Sequence, residues 1–377
     1  MTTMGSVNLS KAKVLWADHG QRRFKKVERY IPIVSFVAGF VWDSVMLTRI
    51  DLLKDNLILL AYWIGLTVTL LLSQQVRSHA LKSTKLIQFQ RYYPWLMNFF
   101  QGGLVSAYIV YYFQSASLSK NIIFVVLLVS LLVANEFFRH RLEGLGLQLA
   151  VYFILTQSFA AFFFPIIAHS MGHRIFMLAG LFGFASVLGL CIPLYLRGVI
   201  KKQGELVRIL CMAAVIFGIL EISYQENLIP PVPLSLKSAG VYHEVEKQAG
   251  KYQLSYEPAP WGQFWRTINP VFHFVPGEDQ LVGFVSIFAP VGIEQKIKES
   301  WYWEDSVTKQ WRLMDTHRYE IFGGRDGGWR SYFVKRKLAE GPWKVEIKTQ
   351  AGKLVGVLDF EVEFTKTKMP LKTILVW

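Results

Sequence analysis

The sequence predicts an α-helical polytopic membrane region of about seven transmembrane helices, followed by an all-β domain of the immunoglobulin-like sandwich type. Three observations carry this reading. Seven apolar stretches of membrane-spanning length precede residue 225, and none follows it. The basic excess of the chain lies on that same side. From about residue 250 the hydrophobic period changes from helical to two.

The candidate spans are 31–48, 56–73, 94–113, 121–138, 146–168, 175–195 and 207–223. Each approaches the roughly 17–25 residues that an α-helix needs to cross about 30 Å of hydrocarbon. The runs are continuous rather than alternating, so they do not read as barrel strands. A hydrophobic fraction of 52% and a mean hydropathy of +0.30 fit this assignment. The N-terminus shows no short apolar core with a small-residue cleavage site, so the first span is expected to act as an uncleaved signal.

Charge sets the orientation. Up to residue 225 there are 21 Lys and Arg against 9 Asp and Glu; beyond it there are 20 against 18. The net charge of +14 is therefore not a nucleic-acid footprint, which would concentrate on a folded module. With seven spans, 17 basic residues fall on the side of the N-terminal arm and only Arg49, Lys54, Lys120 and Arg174 on the other. The positive-inside rule then places the N-terminus in the cytoplasm and the C-terminal domain outside. The basic arm, residues 1–30, interleaves Val14, Leu15, Trp16, Phe24 and Val27 with its cations, as a helix lying on an anionic leaflet would. A solvated arm that only fixes topology is the plainer alternative.

Ionisable groups at membrane depth are functional candidates. They are Asp43, Glu136, His169, His173 and Glu221. His169 and His173 would share one face of a continuous helix, as metal ligands require, but the pair lacks the further acid of a zinc-protease helix. The expectation is interfacial histidines, with no metal and no cofactor. Asn135-Glu136-Phe137-Phe138-Arg139 is similar to the glutamate-and-arginine motif of intramembrane prenyl-protein proteases. It lacks the paired carboxylates that would activate water, so protease activity is not expected. No Gly-x-Ser-x-Gly, Walker or dinucleotide fingerprint is present. Cys191 and Cys211 both lie in apolar stretches and supply no disulfide framework.

Residues 224–241, with Pro230, Pro231 and Pro233, read as a short linker to a domain at 242–377. Trp343, Val345 and Ile347 alternate with Lys344, Glu346 and Lys348, and a turn at 350–353 leads into a second alternating run from Leu354 to Phe364. This is a hairpin with one buried and one wet face. Further strands are expected near 251–256, 281–289, 293–304, 309–321 and 329–337, about seven in all. Trp301, Trp303, Trp311, Trp329 and Trp343 would fill the core, with a ligand-stacking platform as the sharper reading. The run Gly323-Gly324-Arg325-Asp326-Gly327-Gly328 reads as a tight loop with an Arg–Asp tip; the rival reading presents Arg325 to an anion. The ligand-binding candidates are thus Arg325, Asp326, Trp301, Trp303 and Trp329.

The block from Gly323 to Ser331, then Gly341-Pro342-Trp343-Lys344-Val345, then Gly352 through Phe360-Glu361-Val362, resembles the C-terminal domain known as domain of unknown function 2914. Ile293 to Trp303 fits the same pattern, and Asn135 to Arg139 looks like part of the membrane region of such proteins. The resemblance implies a bacterial inner-membrane protein with a periplasmic domain, and it implies no catalytic residue. The expected partners are the lipid bilayer and an extracytoplasmic protein, peptide or glycan, not a nucleic acid; the oligomeric state is open. An intramembrane enzyme or transporter, with a site near Asp43, His169, His173 and Glu221 capped by the β-domain, is the alternative.

Overall fold

Backbone polar groups must be satisfied inside lipid, and long uninterrupted apolar runs satisfy them as helices. The computed structural model describes residues 50–80, 83–115, 126–130, 144–248, 250–263 and 266–376, together with Val41, Val45 and Leu47. Five long helices lie among them: α1 (Leu53–Arg77), α3 (Tyr93–Ser115), α4 (Leu145–Ala168), α5 (His173–Leu196) and α6 (Gln203–Gln225), with the single-turn α2 (Thr84–Gln88) between the first two. Helices α1, α4, α5 and α6 are long and apolar enough to cross a membrane by length and composition. These five helices coincide with five of the seven expected spans. The spans expected at 31–48 and 121–138, and the arm at 1–30, lie outside or almost wholly outside the described residues.

Helix α4 is apolar around its whole circumference and is correspondingly buried, with Leu149, Phe153, Leu155 and Ala160 inaccessible or nearly so. Three of its polar side chains, Gln148, Tyr152 and Thr156, find partners on α1. Trp63 Nε1 donates to Thr156 Oγ1 (3.0 Å), Thr67 and Tyr152 share a hydrogen bond of 2.9 Å, and Gln74 Nε2 donates to Gln148 Oε1 (2.6 Å). Such bonds join helices where apolar packing alone provides little driving force.

Beyond α6 eleven strands are described: β1 (Ser235–Tyr242), β2 (Glu244–Gln248), β3 (Lys251–Tyr256), β4 (Val271–Phe274), β5 (Leu281–Phe288), β6 (Glu294–Glu304), β7 (Trp311–Phe322), β8 (Trp329–Lys335), β9 (Gly341–Thr349), β10 (Leu354–Phe364) and β11 (Lys372–Val376). The seven expected strands are all present. Strand β1 starts within the stretch read as linker, leaving residues 226–234 between helix and sheet. The strands form three sheets, ordered β1-β5-β8, β4-β10-β9-β6-β7 and β11-β3-β2. Pairing is antiparallel except between β4 and β10.

The layering follows from β5. All eight of its residues are buried, which is why Leu281–Phe288 reads as a continuous apolar run rather than an alternating one. Leu281, Val285 and Ile287 join the core shared with the five-stranded sheet. Val282 and Phe284, on the opposite face, pack with Leu254 and Tyr256 of the third sheet. Trp301 of β6 reaches across the larger core to β5: a Cβ at Gly283 would lie 2.5 Å from its ring. Gly283 is therefore a notch that accepts the indole.

Trp301→Ala removes a fully buried indole and is expected to cost about 3–5 kcal/mol in urea unfolding of the full chain. Gly283→Ala should also destabilise, by overfilling the notch. Trp301→Leu should relieve that second effect, so the two losses will be less than additive.

Candidate functional site

Two regions gather the candidate side chains: the junction between the helical bundle and the β-domain, and the inner faces of the sheets. At the junction α6 ends at Gln225, leaving carbonyls without helical partners. Lys353, on the β9–β10 turn, supplies a cation: its Nζ donates to Tyr224 O (2.6 Å) and Gln225 O (3.1 Å) and lies 4.4 Å from the Tyr224 ring centroid. Burial pushes the Lys353 ammonium below the ordinary lysine value, against the pull of Glu221 and Glu226. Leu354 N donates to Asn227 Oδ1 at 3.4 Å.

One turn before the end of α6, Glu221 Oε1 lies 2.8 Å from His173 Nδ1 at the start of α5. Phe176 and Tyr224 stack beside them at 4.1 Å. His169 does not join this pair. Helix α4 stops at Ala168, His169 takes a left-handed conformation (φ 47°), and α5 begins only at His173. The two histidines therefore do not share one helical face. The His169 ring packs instead against Gly292 of the β5–β6 turn. Val291 N in the same turn donates to Asp51 Oδ2 (3.3 Å), and Met171 packs against the β core. Asp43 and Glu136 lie outside the described residues.

The glycine run folds over that same turn. Gly323 N donates to Ile293 O (2.9 Å) and Gly324 N to Ala289 O (3.0 Å). A Cβ on Gly323 would lie 1.7 Å from Pro290 O, so no other residue fits without movement. Arg325 and Asp326 are at the exposed tip, and the Arg325 guanidinium lies 4.5 Å over the Trp329 ring. Of the other tryptophans, Trp301 is fully buried, and a ligand cannot reach it without opening the core. Trp303 is half-buried and donates to Glu340 O (2.9 Å). Arg325, Asp326 and Trp329 thus sit together, away from Trp301.

Two buried carboxylates escaped the sequence reading. Glu299 on β6 is inaccessible; burial raises its pKa to about 7, against hydrogen bonds from Trp301 Nε1 (2.9 Å) and Tyr319 OH (3.4 Å). Glu257, just after β3, receives His243 Nε2 at 2.9 Å and His273 Nδ1 at 2.5 Å, and the His273 backbone N–H at 3.1 Å. Burial opposes ionisation there too, but these bonds hold the carboxyl below its ordinary value. The cluster ties the end of β1, the end of β3 and β4 together. His243 also lines a cleft of about 410 Å³ with Asp279, Arg336 and Lys368. The three residues are 14 and 16 positions apart, a spacing that carries no local signal.

The segment holding the glycine run, Glu299 and Lys353 matches the family described as "Protein of unknown function (DUF2914)" over residues 294–362. Residues 294–362 form a DUF2914 domain. The DUF2914 segment begins with β6 and ends within β10, so it includes the Lys353 turn that meets the helical bundle and the glycine loop that folds over the β5–β6 turn. No curated protein sequence matches the chain. Among solved structures it is similar to the Pseudomonas fluorescens alkylpurine DNA glycosylase AlkC bound to DNA containing an abasic site analog, at 10% identity over 84% of this chain and 99% of that one. The TM-score of 0.18 is too low to bear on fold or function.

The two carboxylates act on stability with opposite sign. Because the folded-state pKa of Glu299 is raised, its contribution is complete below about pH 4.5 and is lost as pH rises through about 7. Glu299→Gln should therefore flatten the decline in thermal midpoint between pH 5 and 8 and stabilise the protein at pH 8. The pKa of Glu257 is lowered, so its contribution is present above the ordinary carboxylate range and lost on acidification. Glu257→Gln should destabilise at pH 7, with the deficit closing toward pH 3. Tryptophan fluorescence of the full chain in detergent reads both.

Proposed function

We propose that the chain is a seven-span bacterial inner-membrane protein with its N-terminus in the cytoplasm. The β-domain lies in the periplasm as an immunoglobulin-like pair of sheets, extended by a third, and binds a protein partner through an extended peptide segment. The observation that carries this reading is β7. Its 12 residues form the outer edge of the five-stranded sheet, where among the described strands its backbone ladder pairs with β6 alone. Leu313 and Met314 on that edge are 56% and 48% exposed. Natural sheets shorten, charge or cover such edges; β7 is long, and the charges beside Leu313 and Met314 are already paired, Arg312 with Asp305 and Asp315 with Lys335, which leaves the exposed apolar pair for strand addition. The adjoining aromatic surface of Trp311, which is 41% exposed, offers a side-chain contact for the added strand. A glycan could use the same aromatic face, but only a peptide would also use the free backbone groups of β7.

A second reading rests on the contact between His173 and Glu221. An acid and an imidazole together at the end of the bundle, below Lys353, would suit a proton-handling or transport site capped by the β-domain. Of the other two residues expected there, His169 packs against Gly292 instead and Asp43 lies outside the described residues.

A photocrosslinking residue at Leu313 separates the two. In cells it should yield one discrete protein adduct, which disappears with Met314→Asp and is not formed from Leu375 on the exposed strand β11. The absence of an adduct from Leu313, combined with loss of the cellular phenotype in His173→Gln or Glu221→Gln, would favour the second reading.

A further inference from the structure

We infer that the membrane-facing end of the DUF2914 sheet binds the phosphate headgroup of an anionic lipid, an assignment that rests on the membrane reading above. The argument starts from register. On β6 Lys298 stands directly opposite Arg318 of β7 on one side and Lys348 of β9 on the other. Three cations therefore form one row across the face turned away from the inner core. Like charges directly opposite destabilise a sheet, so the row opposes the fold unless something neutralises it.

The surrounding acids neutralise only one end of it. Lys348 is held by Glu346 at 2.5 Å, and Glu346 also takes Lys344 at 3.4 Å. Lys298 and Arg318 form no ion pair among the described residues. Lys296, exposed one step along the same face, stands opposite Glu320 in register but likewise forms no ion pair among the described residues. Lys296, Lys298, Arg318 and Gln350 line a groove of about 540 Å³, with Glu320 as the one carboxylate in its wall. It is large enough for a phosphodiester group, and the cations on its floor and walls would supply charge-assisted hydrogen bonds to phosphate oxygens.

Position selects the source of the phosphate. Gln350 N donates to Lys296 O (2.9 Å), and three residues later Lys353 holds the last carbonyls of α6. The same end of β6 leaves the turn that rests on Asp51 and His169. At about 3.3 Å per residue, Lys296 and Lys298 stand roughly 10 and 17 Å along the strand from Ile293. Long basic side chains at that height reach headgroups while their stems stay on the sheet. The distal half of β7, with Leu313 and Met314, is left free for a protein partner.

The test is native mass spectrometry of the full chain in detergent, titrated with phosphatidylglycerol or phosphatidylcholine. The wild type should retain phosphatidylglycerol preferentially. Retention should fall about tenfold or more in Lys298→Gln/Arg318→Gln, since each basic side chain near an anionic surface contributes roughly fivefold. Lys366→Gln/Lys372→Gln, with the same charge change elsewhere on the domain, should retain it as the wild type does. Equal retention by the Lys298/Arg318 variant overturns the site. Displacement of the lipid by millimolar glycerol phosphate overturns the lipid source in favour of a soluble phosphate ester. Extraction of the chain by alkaline carbonate without detergent would instead overturn the membrane reading, and it is scored separately.

Discussion

A strand with no solvent face organises everything beyond the helices. β5 is buried along its whole length, so it needs a sheet on each side. The five-stranded sheet supplies one cover, with Trp301 seated in the notch at Gly283; β11, β3 and β2 supply the other. Where β5 ends, Phe288 already packs among the bundle residues, and the turn that follows reaches Asp51 and His169. The strand that centres the β-domain thus also delivers it to the ends of the helices.

The junction is held by interactions of different kinds, beside the apolar contacts of Phe288 and Met171. A lysine closes the C-terminus of α6, a carboxylate accepts a turn N–H, and an imidazole packs against a glycine. Glycines 323 and 324 press the β7–β8 connection onto the same turn, so the most distinctive local motif of the sequence serves close packing at the point of attachment. Lys353 satisfies helix carbonyls on one side of the β9–β10 turn, while on the other Lys296, Lys298 and Arg318 form no ion pair among the described residues. That asymmetry suits a surface facing headgroups.

Much of this was legible in the sequence because it rests on local periodicity. Trp343, Val345 and Ile347 alternate with charged neighbours, and their burial follows. The apolar runs of α4 and α5 announce helices by length alone. What was not legible depends on residues distant in sequence. The third sheet is built from β2, β3 and β11, the last more than a hundred residues beyond the others, and β4 is only four residues long. Strand β1 follows so closely on three prolines that the segment reads as linker. Trp301 reads as core from the sequence, with a platform as the rival, but the notch at Gly283 that receives it carries no sequence signal. Glu299 looks like an ordinary charged strand residue; only the pairing of β6 with both β7 and β9 shows that it is enclosed. His173 and Glu221 were singled out by depth, but their contact depends on how α5 and α6 pack, while the left-handed turn at His169 separates the histidine pair that spacing alone had joined.

The central claim is that the β-domain is fixed on the ends of the helices rather than tethered by a flexible linker. A cysteine pair at Asp51 and Val291, in a Cys211→Ala background and in native membranes, measures this directly. The account predicts rapid and nearly complete disulfide formation under mild oxidation, unchanged by dilution of the protein in the membrane. Slow, partial or concentration-dependent crosslinking, with the domain folded and Val291→Cys readily alkylated, would contradict it.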